Sequence, residues 1–374
     1  MRRTLIVSAL LAGTAALAAC AAHETPAPVA EVPVVAAAPT PPPAPERPKP
    51  TFGSFGFDAA GMDTTVKPGD NFYNFSNGTW AKTTPIPSDK ANYGAFNILA
   101  DLSQKRTNAI LEEAKGDPNS KIGVAYSTYL DTATINAKGL DPIKPWLNQI
   151  AALKSKAGYP ALVAAADRNG VRIPFGCFVG QDDKNPEVYV LNMFQGGIGM
   201  PDRDYYLSTD AKLVETRAAY EKHLTNVLTL AGEPNAAARA KAIVAFETNI
   251  AKVHWTRVDS RDANKTYNAM TVAELKKKAP GFDFAAYYAG IGAPVDRVIV
   301  AQPSAVAGIA KLIQSTPLAV LKDQLLVRSL DSYSDVLPEA FDKENFAFFG
   351  TILSGTPEQQ VRWKRASDWT AGAL

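Results

Sequence analysis

The sequence predicts a mostly α-helical body interrupted by one β-hairpin near residues 173–194, and three observations carry that expectation. From residue 95 onward, apolar residues recur at spacings of three, four and seven, the period of a helix with one buried face. Two stretches, 173–180 and 187–194, are instead rich in β-branched and aromatic residues and flank the turn-forming string Gln181-Asp182-Asp183-Lys184-Asn185-Pro186. No repeat of fixed period is present, so a solenoid is not indicated.

Taken in order, Ala95, Ile98, Leu99, Leu102, Ala109 and Ile110 fall on or near one face of a first helix. Weaker periodicity places a second near 119–135, and the hairpin follows. Leu213, Tyr220, Leu224, Val227 and Leu228 mark a long helix, and Ile243, Phe246, Ile250 and Val253 mark another. Between them, Glu233-Pro234 reads as a helix start, because proline fits a first turn where its missing donor costs nothing. Two long helices joined by a short turn are therefore expected. Lys276-Lys277-Lys278 reads as a solvated helix end, where cations suit the dipole. Further helices are expected near 303–314, 338–353 and 357–371.

The N-terminus is of another kind. Arg2 and Arg3, the apolar stretch 5–17 and the small residues after it make a secretory signal, residues 1–19, too short to span a bilayer. Leu17-Ala18-Ala19-Cys20 resembles the lipobox of bacterial lipoproteins, in which the signal is cut before the cysteine and its thiol takes diacylglycerol. The other reading is an ordinary signal cut near Ala18 or Ala19, with Cys20 incidental. Lipidation of Cys20 implies attachment to a membrane of the bacterial cell envelope, and Ala21 is compatible with the outer membrane, facing the periplasm. Residues 20–51 then form a tether: ten prolines lie between Pro26 and Pro50, with no Phe, Tyr or Trp to build a core. In polyproline form, at about 3.1 Å per residue, its ~30 residues reach on the order of 90 Å. Phe52, Phe55 and Phe57 open the folded region, 52–374.

Composition excludes little else. Of 374 residues, 39 Lys and Arg stand against 37 Asp and Glu, so no strong field nominates nucleic acid as a partner. With Cys20 given to lipid, Cys177 alone remains and cannot form an internal disulfide. Its apolar setting, Phe175-Gly176-Cys177-Phe178-Val179, is that of a buried structural thiol rather than a nucleophile. The sequence has no G-x-S-x-G elbow, no phosphate loop and no C-x-x-C pair. A zinc peptidase needs two histidines one helical turn apart with a glutamate to activate water. His23 lies in the tether, and neither His223-Leu224-Thr225-Asn226 nor His254-Trp255-Thr256-Arg257 supplies the glutamate or the second histidine, so no metal site is expected in this chain. Asp202-Arg203-Asp204, after Pro201, reads as turn and cap chemistry with the arginine bridging its neighbours.

Three strings in order add a resemblance. Gly61-Met62-Asp63, Pro68-Gly69-Asp70-Asn71-Phe72-Tyr73 and Asn77-Gly78-Thr79-Trp80 look like the start of the mature domain in bacterial members of the neprilysin and endothelin-converting-enzyme family of zinc metalloendopeptidases. Gln195-Gly196-Gly197-Ile198-Gly199-Met200-Pro201-Asp202-Arg203-Asp204-Tyr205-Tyr206 is similar to that family's glycine-rich loop and Pro-x-Arg-Asp-Tyr-Tyr string. Lys265-Thr266-Tyr267-Asn268-Ala269-Met270-Thr271 and Arg362-Trp363-Lys364 complete the set.

The resemblance implies the helical N-terminal lobe of a two-lobe ectodomain that encloses short peptide substrates. The zinc-binding H-E-x-x-H helix, the downstream glutamate ligand and a substrate-gripping Asn-Ala string lie C-terminal to the matched region, so the sequence is expected to be truncated before the catalytic lobe. Zinc is expected in the intact enzyme, and its own C-terminal catalytic lobe is the expected partner. Tyr93-Gly94-Ala95-Phe96 matches the family's Tyr-Gly-x-Phe string, whose flanking residues approach the pocket for the second residue after the scissile bond. This makes Asn92, Tyr93, Phe96 and Asn97 substrate-cavity candidates. Asn92 and Asn97 stand where neprilysin has Arg and Asp, which puts dipeptide release in doubt; core packing is the other reading of Tyr93 and Phe96. A piece of this kind is expected to leave apolar surface uncovered and to be prone to aggregation. The rival reading is a non-catalytic envelope lipoprotein that binds peptides or another protein.

Overall fold

The computed structural model describes residues 59–172 and 174–373. The expected signal peptide, Cys20, His23, the expected tether and the three phenylalanines before residue 58 lie outside the described residues. The chain divides into two units, Met1–Asn77 and Gly78–Leu374. In the described part of the first, a 3-10 turn, Ala59–Gly61, precedes helix α1 (Phe72–Thr83), in which the division falls. Asp63 shapes the loop between them: its carboxylate accepts from the Thr65 amide at 3.2 Å and hydroxyl at 2.5 Å, while its own amide donates to the Phe75 carbonyl at 2.9 Å.

The second unit is mostly helical. Helices α2 (Ala95–Ala114), α3 (Lys121–Leu130), α4 (Thr132–Lys138), α5 (Lys144–Ala152) and α6 (Tyr159–Arg168) precede strands β1 (Phe175–Asp182) and β2 (Asn185–Gln195). Short α7 (Asp204–Leu207) leads into the long α8 (Ala211–Leu230) and α9 (Ala236–Val253). Then come α10 (Ala263–Thr266), β3 (Ala269–Thr271), α11 (Val272–Lys278), α12 (Phe284–Gly290) and β4 (Arg297–Val300). Helices α13 (Pro303–Ser315), α14 (Leu318–Ser332) and α15 (Glu339–Asn345), a π-helical stretch (Phe346–Leu353) and α16 (Arg362–Gly372) end the described chain.

Polar side chains set many of these boundaries. Asp131 ends α3 and caps α4, its carboxylate accepting from the Thr134 amide at 3.0 Å, so the segment expected as one helix near 119–135 is two. Asp210 caps α8 through the amides of Lys212 and Leu213. Thr271 and Glu274 form a capping box on α11, whose exposed Lys276, Lys277 and Lys278 close it as expected. The turn between α8 and α9 uses Gly232 at φ +75° and Asn235 at φ +56°. Two left-handed residues reverse the chain there, so Pro234 lies before the helix rather than in its first turn.

The hairpin is present and belongs to a larger sheet. Its strands pair from Phe175 opposite Gln195 to Asp182 opposite Asn185, so Asn185 and Pro186 open β2 instead of filling the turn. The sheet has four strands in the order β1-β2-β4-β3, with β2 parallel to β4 and β3 antiparallel to it. At three and four residues, β3 and β4 are too short to show an alternating pattern. Asp182, buried beside the turn, ties the hairpin to its neighbours: it accepts from the Lys184 amide at 3.0 Å, the Tyr267 hydroxyl at 2.7 Å and Arg297 Nη2 at 2.8 Å. These donors bring its carboxyl down to about 2, the Lys184 amide foremost.

Two large apolar cores form, and α9 serves both. Phe246 and Ile250 pack with Phe175 and Met193 of the sheet and with Phe284 of α12. Ala240, Ile243 and Val244 pack with Tyr220 and Leu224 of α8 and with Leu330 of α14. The spacing read from the sequence in α8 and α9 is thus the spacing of buried faces. In α2 it is not: Leu99, Leu102 and Ile110 are exposed, and Leu111 is the buried residue.

Candidate functional site

The glycine-rich loop, 195–203, leaves the end of β2 and passes the C-terminal end of α9, and side chains from both hold it. The Gln195 amide oxygen accepts from the Trp255 amide at 2.8 Å, and its Nε2 donates to the Trp255 carbonyl at 3.2 Å. His254 Nε2 donates to the Gly196 carbonyl at 2.9 Å. Burial pushes the His254 imidazole below its ordinary value, the Gly196 carbonyl opposes this, and Arg203 lowers it further, so the ring is neutral at pH 7.

Beneath the loop lies Glu247 of α9, which is fully buried. Its Oε2 accepts from the Gly199 amide at 3.1 Å, the Tyr206 hydroxyl at 2.6 Å and the Tyr220 hydroxyl at 3.1 Å. Its Oε1 accepts from Gln324 at 2.8 Å and from Arg328 at 2.5 Å. Burial opposes the Arg328 charge, but Glu247 more than compensates and holds the guanidinium above its ordinary value. Gln324 Nε2 also donates to the Gly197 carbonyl at 2.9 Å. The Tyr206 hydroxyl accepts from the amides of Gly199 and Met200 at 2.9 and 3.0 Å. The Pro-x-Arg-Asp-Tyr-Tyr string thus folds back to fasten the glycines that precede it.

That fastening explains Gly199. A Cβ there would sit 2.1 Å from the Tyr220 hydroxyl and 2.3 Å from the Arg328 guanidinium, inside the polar knot itself. Asp202 behaves as the turn chemistry predicts, its carboxylate accepting from the Asp204 amide at 2.7 Å. Its ion-pair partner is Arg257, 55 positions away, and not the expected Arg203.

Between this loop, the segment after α9 and the π-helical stretch opens a cleft of about 750 Å³. Arg172, Arg203 and Arg257 line it with Asp202, while Met200, Trp255, Phe349 and Leu353 make its apolar wall. Residues from four separated segments meet here, and no local motif announces the meeting.

Neither described histidine is arranged as a zinc ligand. His223, buried in α8, meets Asp331 through Nε2 at 3.1 Å and Glu344 through Nδ1 at 3.2 Å, and it stacks on Phe348. His254 has one ring nitrogen committed to Gly196. Among the described residues, no three His, Cys, Asp or Glu side chains converge as metal ligands. These residues do not fit zinc. Cys177 is half-buried, and its surroundings push the thiol up to about 12, which leaves it protonated and inert.

The four cavity candidates cluster at the start of α2, apart from the lining of this cleft. Asn92 is exposed, Phe96 is 89% exposed, and Tyr93 and Asn97 are half-buried. Tyr93 donates to Asp101 at 3.2 Å, and Asp101 pairs with Lys90 at 2.8 Å. Core packing therefore does not account for Phe96.

The mostly helical body with its small sheet is the fold of the neprilysin-like helical lobe of zinc metallopeptidases. Superposed on the zinc metalloprotease Zmp1 of Mycobacterium tuberculosis solved with an inhibitor, it gives a TM-score of 0.79 at 28% identity over 84% of this chain and 50% of that one. The match to PepO from Lactobacillus rhamnosis, 0.68 at 18% identity, agrees at the level of fold, covering 82% of this chain and 50% of that one. The chain belongs to peptidase family M13, whose N-terminal model matches residues 68–374. It is 26% identical to an endothelin-converting enzyme homolog of Locusta migratoria over 81% of this chain and 45% of the relative. With neprilysin-3 of Drosophila melanogaster it shares 30% identity over 64% of this chain and 33% of the relative. The chain thus spans less than half the length of these curated relatives.

Proposed function

We propose that this chain is the cavity-forming N-terminal part of a zinc-dependent metalloendopeptidase that hydrolyses short peptides. In this reading the zinc ligands and the catalytic glutamate belong to a C-terminal lobe, the metal supplies an activated water, and the residues described here bind and enclose the substrate. The observation that carries it is the family match over residues 68–374, with 45% of the locust relative and 50% of the Zmp1 chain covered. The uncovered apolar residues of α2, with Phe96 89%, Leu99 57% and Ile110 58% exposed, support the same reading as a surface for that lobe. The test is a quenched fluorescent peptide assay on the complete product of the gene. Cleavage abolished by a zinc chelator is expected. Peptide binding without cleavage, insensitive to the chelator, would favour the non-catalytic envelope lipoprotein instead.

We also propose that the protein is held by lipid on Cys20 at the bacterial outer membrane, facing the periplasm, a reading that rests on the lipobox-like string. Cys20→Ala is expected to move it from the outer-membrane fraction to the soluble periplasm and to end its labelling by palmitate. Unchanged fractionation and labelling would refute the anchor.

A further inference from the structure

The cleft beside the glycine-rich loop is lined by more positive than negative side chains. Three arginines and a single carboxylate line it, and that carboxylate, Asp202, is already paired with Arg257. His254 adds no charge at pH 7, and among the described residues neither Arg172 nor Arg203 has a carboxylate partner. The cleft therefore carries a surplus of two positive charges, while the whole sequence is nearly balanced. The buried Ser260 hydroxyl, also in the lining, has no hydrogen-bond partner among the described residues. In the same lining, Met200, Trp255, Phe349 and Leu353 offer apolar surface.

We propose that this cleft binds a carboxylate-bearing peptide segment, with Arg172 and Arg203 holding the carboxylate and the Trp255–Phe349 side taking an adjacent apolar residue. A guanidinium presents paired donors that match a carboxylate, and hydrogen bonds between ionised partners are about twice as strong as neutral ones. Asp202 keeps Arg257 from competing for the same anion. The volume, about 750 Å³, suits a few residues of extended peptide and not a folded domain. The inference deepens the peptide-binding part of the function proposed above and rests on it.

The test uses the full chain and fluorescence anisotropy at low salt with three labelled hexapeptides of one apolar sequence. One ends in a free carboxylate, one in an amide, and one in an amide with an internal glutamate. At least one acidic peptide is expected to bind about tenfold tighter than the neutral one, and which of the two does so identifies the source of the carboxylate. In Arg172→Gln/Arg203→Gln, checked for an unchanged melt, that gap is expected to shrink below about threefold. Equal binding of all three peptides by the wild type overturns the inference and leaves peptide binding intact. A gap that survives the double substitution also overturns it, by placing the carboxylate elsewhere. If no peptide binds, the peptide-binding reading falls with it.

Discussion

Glu247→Ala is expected to destabilise the protein by roughly 3–5 kcal/mol, the cost of stripping the partner from a buried charge. Arg328 would then stand in the core without the carboxylate that it hydrogen-bonds, and the hydroxyls of Tyr206 and Tyr220 would lose the acceptor they share. In a thermal scan this corresponds to a fall in Tm of about 10 °C. Arg328→Met should cost a similar amount by leaving the carboxylate unpaired. The double variant Glu247→Leu/Arg328→Met should cost less than either single change, because no orphaned charge remains. A Glu247→Ala melt within about 2 °C of wild type would show that the pair contributes no such stability. Because Glu247 also receives the Gly199 amide, its loss should loosen the loop that walls the cleft, so peptide affinity should fall along with Tm.

His223 is expected to make stability depend on pH on the alkaline side. Burial alone would lower its imidazole, but hydrogen bonds and charge from Asp331 and Glu344 raise it to about 9. A folded value above the unfolded 6.5 means that the contribution is complete below about 6.5 and is lost as pH rises through about 9. The difference corresponds to about 3 kcal/mol. His223→Leu should therefore be much less stable than wild type at pH 6, where two carboxylates lose their cation, and the gap should close towards pH 10. Urea melts of the two proteins across that range give the difference directly, free of the tyrosines and lysines that titrate in both. Parallel curves would show that His223 is not charged in the folded protein.

What the sequence made legible was what is local or periodic. Helices α8 and α9 were readable because their buried apolar residues recur at helical spacing, and the hairpin because its strands are long and rich in β-branched and aromatic residues. Periodicity showed that α2 has an apolar face but carried no information on what covers it. The Pro-Asp-Arg-Asp string was legible as a turn, yet local sequence points to the neighbouring Arg203 for its ion pair, whereas the partner, Arg257, lies far along the chain. The buried pair of Glu247 and Arg328, 81 positions apart, looks like two ordinary polar residues within helical segments. Only the tertiary fold shows that each faces inward. The cleft arginines were illegible for the same reason. A capping box at Thr271 and Glu274 was in plain view, a threonine three residues before a glutamate, and would have fixed the start of α11.

Helix α9 gives one face to the sheet core and another to the helical core, with Glu247 between them fastening the loop. Opening either core strips one face of this helix, so the two are expected to unfold as a single cooperative unit rather than as separable foldons. Backbone amides along the middle of α9 are then released to solvent only when the whole unit opens, whereas the uncovered turns of α2 can fray alone. Ligand held in the cleft would accordingly be felt as slower opening along the length of α9, through the loop it carries.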